Sequence, residues 1–158
     1  MRDNYLEVIL LVERLHRYVL ELIKLELDGF GIRDINNVQA MMLFNIGDAE
    51  MTVGELTLRG CYMGTNVSYN SKKLVENGYL EYERSRHDRR SVQVRLTTKG
   101  RKLCHELNQM HERNVKLLHE TGISDTDLAG AVITLRRFER FWMQATDFAS
   151  RQRQFAAA

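Results

Sequence analysis

The sequence contains no proline, only two cysteines and no long uninterrupted apolar run. The absence of proline permits long helices and excludes proline-rich linkers. Cys61 and Cys104 form no Cys-x-x-Cys pair and no signal peptide precedes them, which favours reduced thiols in a cytoplasmic protein. Charged residues interrupt each apolar stretch before it reaches the roughly 18 residues that a membrane helix needs, so no membrane span is predicted.

Sequence motifs of several enzyme classes are also absent. The chain has no P-loop, no G-x-G-x-x-G, no H-E-x-x-H and no nucleophile elbow. Cys104 and His111 are placed to share one helix face, but four metal ligands in one cluster are not evident. The sequence therefore predicts a protein that is not an enzyme and that holds neither a metal nor a cofactor.

The basic residues are unevenly distributed along the chain. Its 158 residues are 44% hydrophobic, enough for a core, and carry a net charge of +2. Residues 65–102 contain ten Lys or Arg against four acidic residues, so this window is positive while the remainder is negative. Such a local basic segment is expected where a protein contacts DNA.

Two long helices are predicted at the ends of the chain. Apolar residues recur at intervals of three and four over residues 3–28, and again after a capping pair formed by Ser124 and Asp127. In both helices further apolar residues lie off the main stripe. A helix that is apolar on more than one side must be covered on more than one side, which favours a second subunit.

The middle of the chain predicts a helix–turn–helix followed by a hairpin. Short helices are predicted over 36–46, 53–59 and 66–77, with capping pairs Asn36/Gln39 and Thr52/Glu55, a turn at Gly60–Gly64 and a cap at Thr65. Tyr79–Arg84 and Val92–Leu96 alternate with a period of two, as a half-buried hairpin does.

These patterns predict a mainly α fold with a two-stranded β-hairpin wing. We expect an N-terminal dimerisation helix at 1–30, a winged helix–turn–helix lobe at 34–100 and C-terminal dimerisation helices at 101–155, all in one compact protomer.

The second helix of a helix–turn–helix lies in the major groove of DNA. Its predicted exposed residues combine amides and hydroxyls, which can read base edges, with lysines suited to phosphates. They are Thr65, Asn66, Ser68, Tyr69, Asn70, Lys72 and Lys73. The hairpin loop that follows carries Arg84, Arg86, Arg89 and Arg90 around a single Asp88. Arginine suits phosphates and narrow minor grooves because its planar fork is always charged.

Several motifs together resemble the MarR family of bacterial transcription regulators. They are Thr52-Val-Gly-Glu-Leu, Lys72-Lys-Leu-Val-Glu-Asn-Gly-Tyr-Leu, Asp88-Arg-Arg and Val94-Arg-Leu-Thr-Thr-Lys-Gly. The resemblance is strongest over residues 36–103. It implies a homodimer on a pseudo-palindromic operator in double-stranded DNA, and modulation by a small, often aromatic effector. It also implies that Arg90 enters the minor groove, that Asp88 orients it, and that Arg86, His87 and Arg89 shape the wing tip.

The sequence indicates less about the signal that such a regulator senses than about its contact with DNA. The resemblance places an effector between the DNA-binding lobe and the dimerisation helices, where the candidate residues are His16, Arg17, Met41, Met42, Phe44 and Asn45. A Met and Phe stripe of this kind is also typical of a core. The leading hypothesis is a repressor of nearby genes. The alternatives are a winged-helix module that binds protein and a redox-sensing regulator that uses Cys61.

Overall fold

Helices dominate the fold, as the sequence predicts. The computed structural model describes residues 1–60, 64–84 and 92–156. In chain order its elements are α1 (Arg2–Gly29), α2 (Asn37–Ile46), β1 (Met51–Thr52), α3 (Val53–Gly60), α4 (Gly64–Glu76), β2 (Leu80–Arg84), β3 (Val92–Leu96), α5 (Thr98–Glu120) and α6 (Asp125–Ala156). Two compact units are present, Met1–Glu112 and Arg113–Ala158.

Side-chain caps define where the short helices begin. Asn36 Oδ1 accepts from the Gln39 backbone N–H at 2.9 Å, and Gln39 Oε1 accepts from the Asn36 N–H at 3.0 Å. Thr52 and Glu55 form the same reciprocal pair at the start of α3, with distances of 3.1 and 2.6 Å. Each pair satisfies two backbone donors that a helix start leaves free. Both capping boxes predicted for the short helices are confirmed, and so is the Ser124/Asp127 pair predicted at the start of the last helix.

The sheet contains the predicted hairpin and one further strand. Its order is β1-β3-β2, and both pairings are antiparallel. The predicted hairpin is present, with Leu80 opposite Leu96 and Tyr82 opposite Val94. Strand β1, which the sequence did not predict, adds a third strand, in which Met51 pairs with Val94. A strand of two residues is too short to show an alternating pattern.

The start of α4 also differs from the prediction. The helix begins at Gly64, so Thr65 lies inside its first turn and is not the residue before it. Glycine and threonine are both accepted at a helix start, so the sequence could not choose between the two positions. The turn residues 61–63 lie outside the described residues.

The core belongs to the first unit. Apolar residues from every element of this unit form one buried cluster, with Leu43, Leu56, Leu74, Val94 and Leu107 fully enclosed. The first half of α1 contributes nothing to it, because only Ile23 and Leu27 of that helix are buried. The core therefore holds α2, α3, α4 and the sheet together against the second half of α1 and the first half of α5.

Large apolar side chains remain exposed on both long helices. On α1 they are Leu6, Leu10, Leu11, Val12, Leu15, Tyr18, Leu22 and Leu25. On α6 they are Leu128, Val132, Ile133, Leu135, Phe141, Met143 and Phe148. Large apolar side chains exposed in this number on one helix are typical of an interaction surface. Across the described ranges no helix is both long and apolar enough to cross a membrane.

Candidate nucleic-acid interface

Helix α4 has one buried side and one polar, exposed side. Val67, Ser71 and Leu74 are fully buried at helical spacing and fix the orientation of the helix on the core. Asn66, Ser68, Tyr69 and Lys72 then face solvent, and Tyr69 is 63% exposed. These four belong to the set predicted to contact DNA. Their amide, hydroxyl and ammonium groups are the types that bond to base edges and phosphates.

Asn70 occupies a different position from its exposed neighbours. Its Oδ1 accepts a hydrogen bond from Gln39 Nε2 at 3.1 Å, and its Nδ2 donates to the Asn66 carbonyl at 2.9 Å. Gln39 is itself buried and takes part in the cap of α2. Asn70 thus links α4 to the start of α2, and its amide is already engaged on both atoms.

A second polar contact joins α4 to the hairpin. The hydroxyls of Ser71 and Tyr82 lie 3.4 Å apart, and Ser71 also donates to the Ser68 carbonyl at 3.3 Å. Tyr82 is in β2, so this contact joins the buried side of α4 to the first strand of the hairpin. Sequence reasoning treated Tyr82 only as an alternating strand residue and did not find this contact.

Of the six predicted wing residues, Arg84 belongs to β2 and the other five follow it in the chain before β3 begins. Arg84 ends β2 and pairs through its backbone with Val92, the first residue of β3. The chain therefore leaves and re-enters the sheet at adjacent positions. Arg86, His87, Asp88, Arg89 and Arg90 lie outside the described residues, and their assignment to DNA contact stays a prediction.

Arg95 belongs to a cluster of carboxylates on the outer face of the sheet. Its Nε donates to Glu81 Oε1 at 2.8 Å, while its Nη1 lies 2.8 Å from Glu83 Oε2 and 3.7 Å from Glu50 Oε1. The hydrogen bond that Arg95 donates to Glu81, together with the charges of the three glutamates, raises the pKa of Arg95. The positive charge counted at this position in the sequence is therefore neutralised. Pairing the two strands in register, which sets Glu81 opposite Arg95, would have revealed it.

Lys73 is similarly engaged. Its ammonium donates to Glu76 Oε2 at 2.8 Å, one turn later in α4. This hydrogen bond raises the pKa of Lys73 and lowers that of Glu76. Lys73 thus shares its charge with a carboxylate, whereas Lys72 stands on the exposed side. Of the two lysines predicted to contact phosphates, Lys72 is the one that the geometry leaves to do so.

The residues predicted to line an effector pocket are dispersed. Met42 is fully buried in the core and Met41 packs against it. His16 and Arg17 are exposed on α1, where Arg17 pairs with Glu13 at 3.4 Å. Asn45 is half-buried. Met41 and Met42 follow the core interpretation that the sequence left open.

Phe44 does border a cavity. The cavity holds about 380 Å³ and is lined by Phe44, Gly47, Asp48, Arg101, Cys104, His105 and Asn108. The Phe44 ring also lies against His111, with ring centroids 5.0 Å apart. The sequence named no α5 residue for this site, because a helix pattern does not show which side faces α2.

The structure describes one of the two cysteines, Cys104. Cys104 is buried, and burial, with a smaller effect of the Asp48 charge, raises the pKa of its thiol to about 11. A thiol in this state is a poor nucleophile at neutral pH because the thiolate is the reactive form. Cys61 lies outside the described residues, so its proposed redox role stays a prediction. Within the described ranges, no three His, Cys, Asp or Glu side chains are grouped to hold a metal ion.

Comparison with known proteins agrees with this geometry. A winged helix DNA-binding domain family matches residues 35–100. The exopolysaccharide II synthesis transcriptional activator ExpG of Rhizobium meliloti is 38% identical over 145 residues, which are 92% of this chain and 75% of ExpG.

Solved structures show the same fold. FabT of Streptococcus pneumoniae in complex with DNA superposes with a TM-score of 0.70 and 24% identity, over 89% of this chain and 98% of FabT. A mutant of E. coli MarR complexed with operator DNA gives 0.66 and 20%, over 85% and 95% of the two chains. The transcriptional regulator SlyA gives 0.76 and 12%, over 90% and 98%.

The helix pair α3 and α4, with the three-stranded sheet beside it, defines a winged-helix protein with a DNA-binding domain. Its identity with ExpG extends over 92% of the chain and shows that it is a transcription regulator. The chain belongs to the MarR family of winged-helix transcription regulators.

Proposed function

We propose that this protein binds a pseudo-palindromic operator sequence-specifically as a homodimer and so controls transcription of nearby genes in the cytoplasm. The observation that carries the proposal is the exposed side of α4, where Asn66, Ser68, Tyr69 and Lys72 face outward from a helix fixed by its buried side. The structures of FabT with DNA and of MarR with operator DNA support a DNA partner for this fold.

The homodimer rests on the exposed apolar faces of α1 and α6. Leu10 is 56% exposed in the first helix and Phe141 is 56% exposed in the last. Leaving rows of such side chains in water is costly, at about 25 cal/mol per Å² of apolar surface. A second copy that covers them makes the interface isologous, with the same surface used on both subunits. The assignment of 1–30 and 101–155 to dimerisation, predicted from the sequence, is part of this proposal.

The two recognition helices of such a dimer reach successive major grooves. Their separation should be about 34 Å, which corresponds to roughly ten base pairs. The operator is then an inverted repeat with A·T-rich positions where the wing arginines enter the minor groove. Arg84, Arg86, His87, Asp88, Arg89 and Arg90 are the proposed wing contacts.

The direction of regulation has two candidates. Repression is the prediction made from the sequence and follows when the operator overlaps a promoter. Activation is favoured by one specific observation, since the relative ExpG is a transcriptional activator. The DNA contact is the same in both cases. A promoter–reporter fusion in strains with and without the gene separates them, because loss of a repressor raises expression and loss of an activator lowers it.

Effector modulation is proposed for the cavity beside Phe44. Its lining combines an aromatic ring with Arg101, His105 and Asn108, so it offers both an apolar wall and hydrogen-bonding groups. That combination suits a small ligand. His16 and Arg17, also predicted for this role, do not belong to the cavity lining.

A binding titration tests the proposed function. The protein is titrated with a duplex of its own upstream region and with a scrambled duplex, at two salt concentrations. Selective binding that weakens steeply with salt is expected, because displaced counterions accompany phosphate contacts. Equal, weak binding to both duplexes would contradict the proposal and favour a winged-helix module that binds protein. A Cys61→Ala variant that no longer responds to peroxide would favour the redox alternative.

A further inference from the structure

Four residues from separate segments converge beside the end of the recognition helix α4. The ammonium of Lys99 donates to Asp34 Oδ2 at 2.7 Å and to the Asn77 carbonyl at 2.9 Å. The Tyr79 hydroxyl donates to Asp34 Oδ1 at 2.9 Å, and the Asn77 amide donates to the Asp34 carbonyl. Lys99 also lies 4.0 Å from the centre of the Tyr79 ring. We call Asp34, Asn77, Tyr79 and Lys99 the latch.

The latch joins three parts of the first unit. Asp34 lies between α1 and α2, Asn77 and Tyr79 lie between α4 and β2, and Lys99 is in the first turn of α5. Every polar group named has a partner within the cluster. A closed set of hydrogen bonds with a charged pair at its centre holds its members in one arrangement.

Thr97 makes further hydrogen bonds beside the latch. The Thr97 hydroxyl donates to the Gly78 carbonyl at 2.7 Å and accepts from the Gly100 N–H at 3.1 Å, so it also caps α5. The Thr97 N–H donates to the Tyr79 carbonyl at 3.1 Å. These hydrogen bonds hold the start of α5 directly against the segment that follows α4.

The charges of the latch suit its geometry. Burial opposes ionisation of Asp34, but the hydrogen bonds from Lys99 and Tyr79 and the Lys99 charge outweigh it and lower the pKa of the carboxyl. The hydrogen bond to Asp34 raises the pKa of Lys99. Both groups thus keep their charges across the physiological range, and the latch stays closed there.

We propose that the latch is a positioning device for DNA recognition, which fixes the angle between the recognition helix and α5. None of its residues is on the exposed side of α4. The proposal rests on the proposed function, since in a dimer on two half-sites the angle between α4 and α5 sets where each recognition helix enters its groove. Opening the latch should therefore loosen the register on DNA without removing a DNA contact.

Two variants of opposite charge test this. Lys99→Met removes a positive charge and Asp34→Asn removes a negative one, so a shared effect cannot come from net charge. Lys102→Met is the matched control, because it removes a lysine one turn further along α5, outside the latch. Lys99→Arg keeps the charge and the donors. Each protein is titrated with the selected operator, with random duplex, and with operators whose half-site spacing is altered by one or two base pairs.

The expected result is a selective loss. Lys99→Met and Asp34→Asn should each bind the operator about tenfold more weakly, the size of a lost base contact. Binding to random duplex should stay within about twofold at matched salt, since phosphate contacts supply it, and the preference for one spacing should broaden. The double variant should lose no more than either single variant because both break one network. Lys99→Arg should recover most of the affinity.

Three results would overturn the proposal. One is operator binding by both single variants at the wild-type level. Another is an equal loss on operator and random duplex, which would show general destabilisation. The third is an equal loss in Lys102→Met. If Lys99→Met folds poorly by circular dichroism, Asp34→Asn decides the question. A wild-type protein that does not prefer the operator over random duplex would instead refute the proposed function, and the latch with it.

Discussion

Two asparagines of the recognition helix, four residues apart, differ in how their side-chain amides are placed. Asn70 is bonded to Gln39 and to the Asn66 carbonyl, while the side chain of Asn66 faces solvent near the start of the helix. An asparagine can bond adenine through two hydrogen bonds only if its amide is available. The sequence placed both in one candidate set, because residue type and spacing do not show which amide is already engaged.

Asn66→Ala is therefore expected to reduce selectivity. A lost base contact costs about 1–3 kcal/mol against the operator, while binding to random duplex should change little. Competition titrations of the two duplexes measure the ratio. Lys72→Met is the matched control, since losing a phosphate contact weakens both duplexes alike and lowers the salt dependence. Equal losses on both duplexes for Asn66→Ala would make Asn66 a positioning contact.

Cys104 is expected to be inert. With the pKa of its thiol at about 11, roughly one molecule in a thousand carries the thiolate at pH 8. In a Cys61→Ala background, iodoacetamide should therefore modify Cys104 very slowly in the folded protein and rapidly in guanidinium chloride. Mass spectrometry over time gives both rates. Fast modification of the folded protein would show that the thiol is accessible and ionised.

At the scale of elements, a single glycine decides how α5 meets the sheet. A Cβ at Gly100 would lie 2.3 Å from the Tyr79 carbonyl oxygen and 3.1 Å from the Leu96 side chain. Backbone atoms cannot yield as the end of a side chain can. The close approach of α5 to the Tyr79 carbonyl, just before β2, is thus possible because this position carries no side chain.

Gly100→Ala is expected to destabilise the protein by about 1–3 kcal/mol, as overpacking of a core does. Urea unfolding followed by circular dichroism measures the change. Gly54→Ala in α3 is the control, because its added Cβ meets only the Thr52 hydroxyl at 3.8 Å, an ordinary contact. The control should be neutral or slightly stabilising. Equal stability of the two variants would mean that α5 shifts without cost.

Element boundaries could be predicted where a side chain marks them. The boxes at Asn36 and Thr52 fix α2 and α3 because their hydrogen bonds are local in sequence. Strand β1 could not be found, since two residues become a strand only through pairing with β3. The latch was missed for the same reason. Asp34 and Lys99 are 65 residues apart, and nothing near either residue indicates the other.

Across the whole molecule, apolar residues are divided between a core and two exposed faces. The sequence predicted that apolar residues off the main stripe of each long helix would need a cover, and in the structure residues on the stripes, such as Leu15 and Val132, are exposed as well. It overestimated the basic surface, because Lys73, Arg95 and Lys99 are each engaged by a carboxylate. A count along the chain cannot detect such pairing, which depends on register and on contacts distant in sequence.

The exposed faces predict a stable homodimer. Sedimentation equilibrium should give twice the chain mass of 18.5 kDa. Leu10→Glu and Phe141→Glu should each weaken association by about 2 kcal/mol or more, roughly thirtyfold, if these residues are central to the interface. Leu58→Glu is the control, since Leu58 is 81% exposed but lies on α3 and belongs to neither helix. A monomer at micromolar concentration in the wild type would contradict the prediction.

Strand β3 is hydrogen-bonded along both edges, by β2 on one side and β1 on the other, and β1 continues without a break into α3. The base of the wing and α3, the first helix of the helix–turn–helix, therefore keep a fixed orientation relative to each other. Conformational freedom between them is already lost when the chain folds, so it does not have to be lost again when DNA is bound. The lobe is therefore preorganised for binding. Less of the favourable free energy of its contacts is offset by the entropy lost on binding, and the affinity is higher.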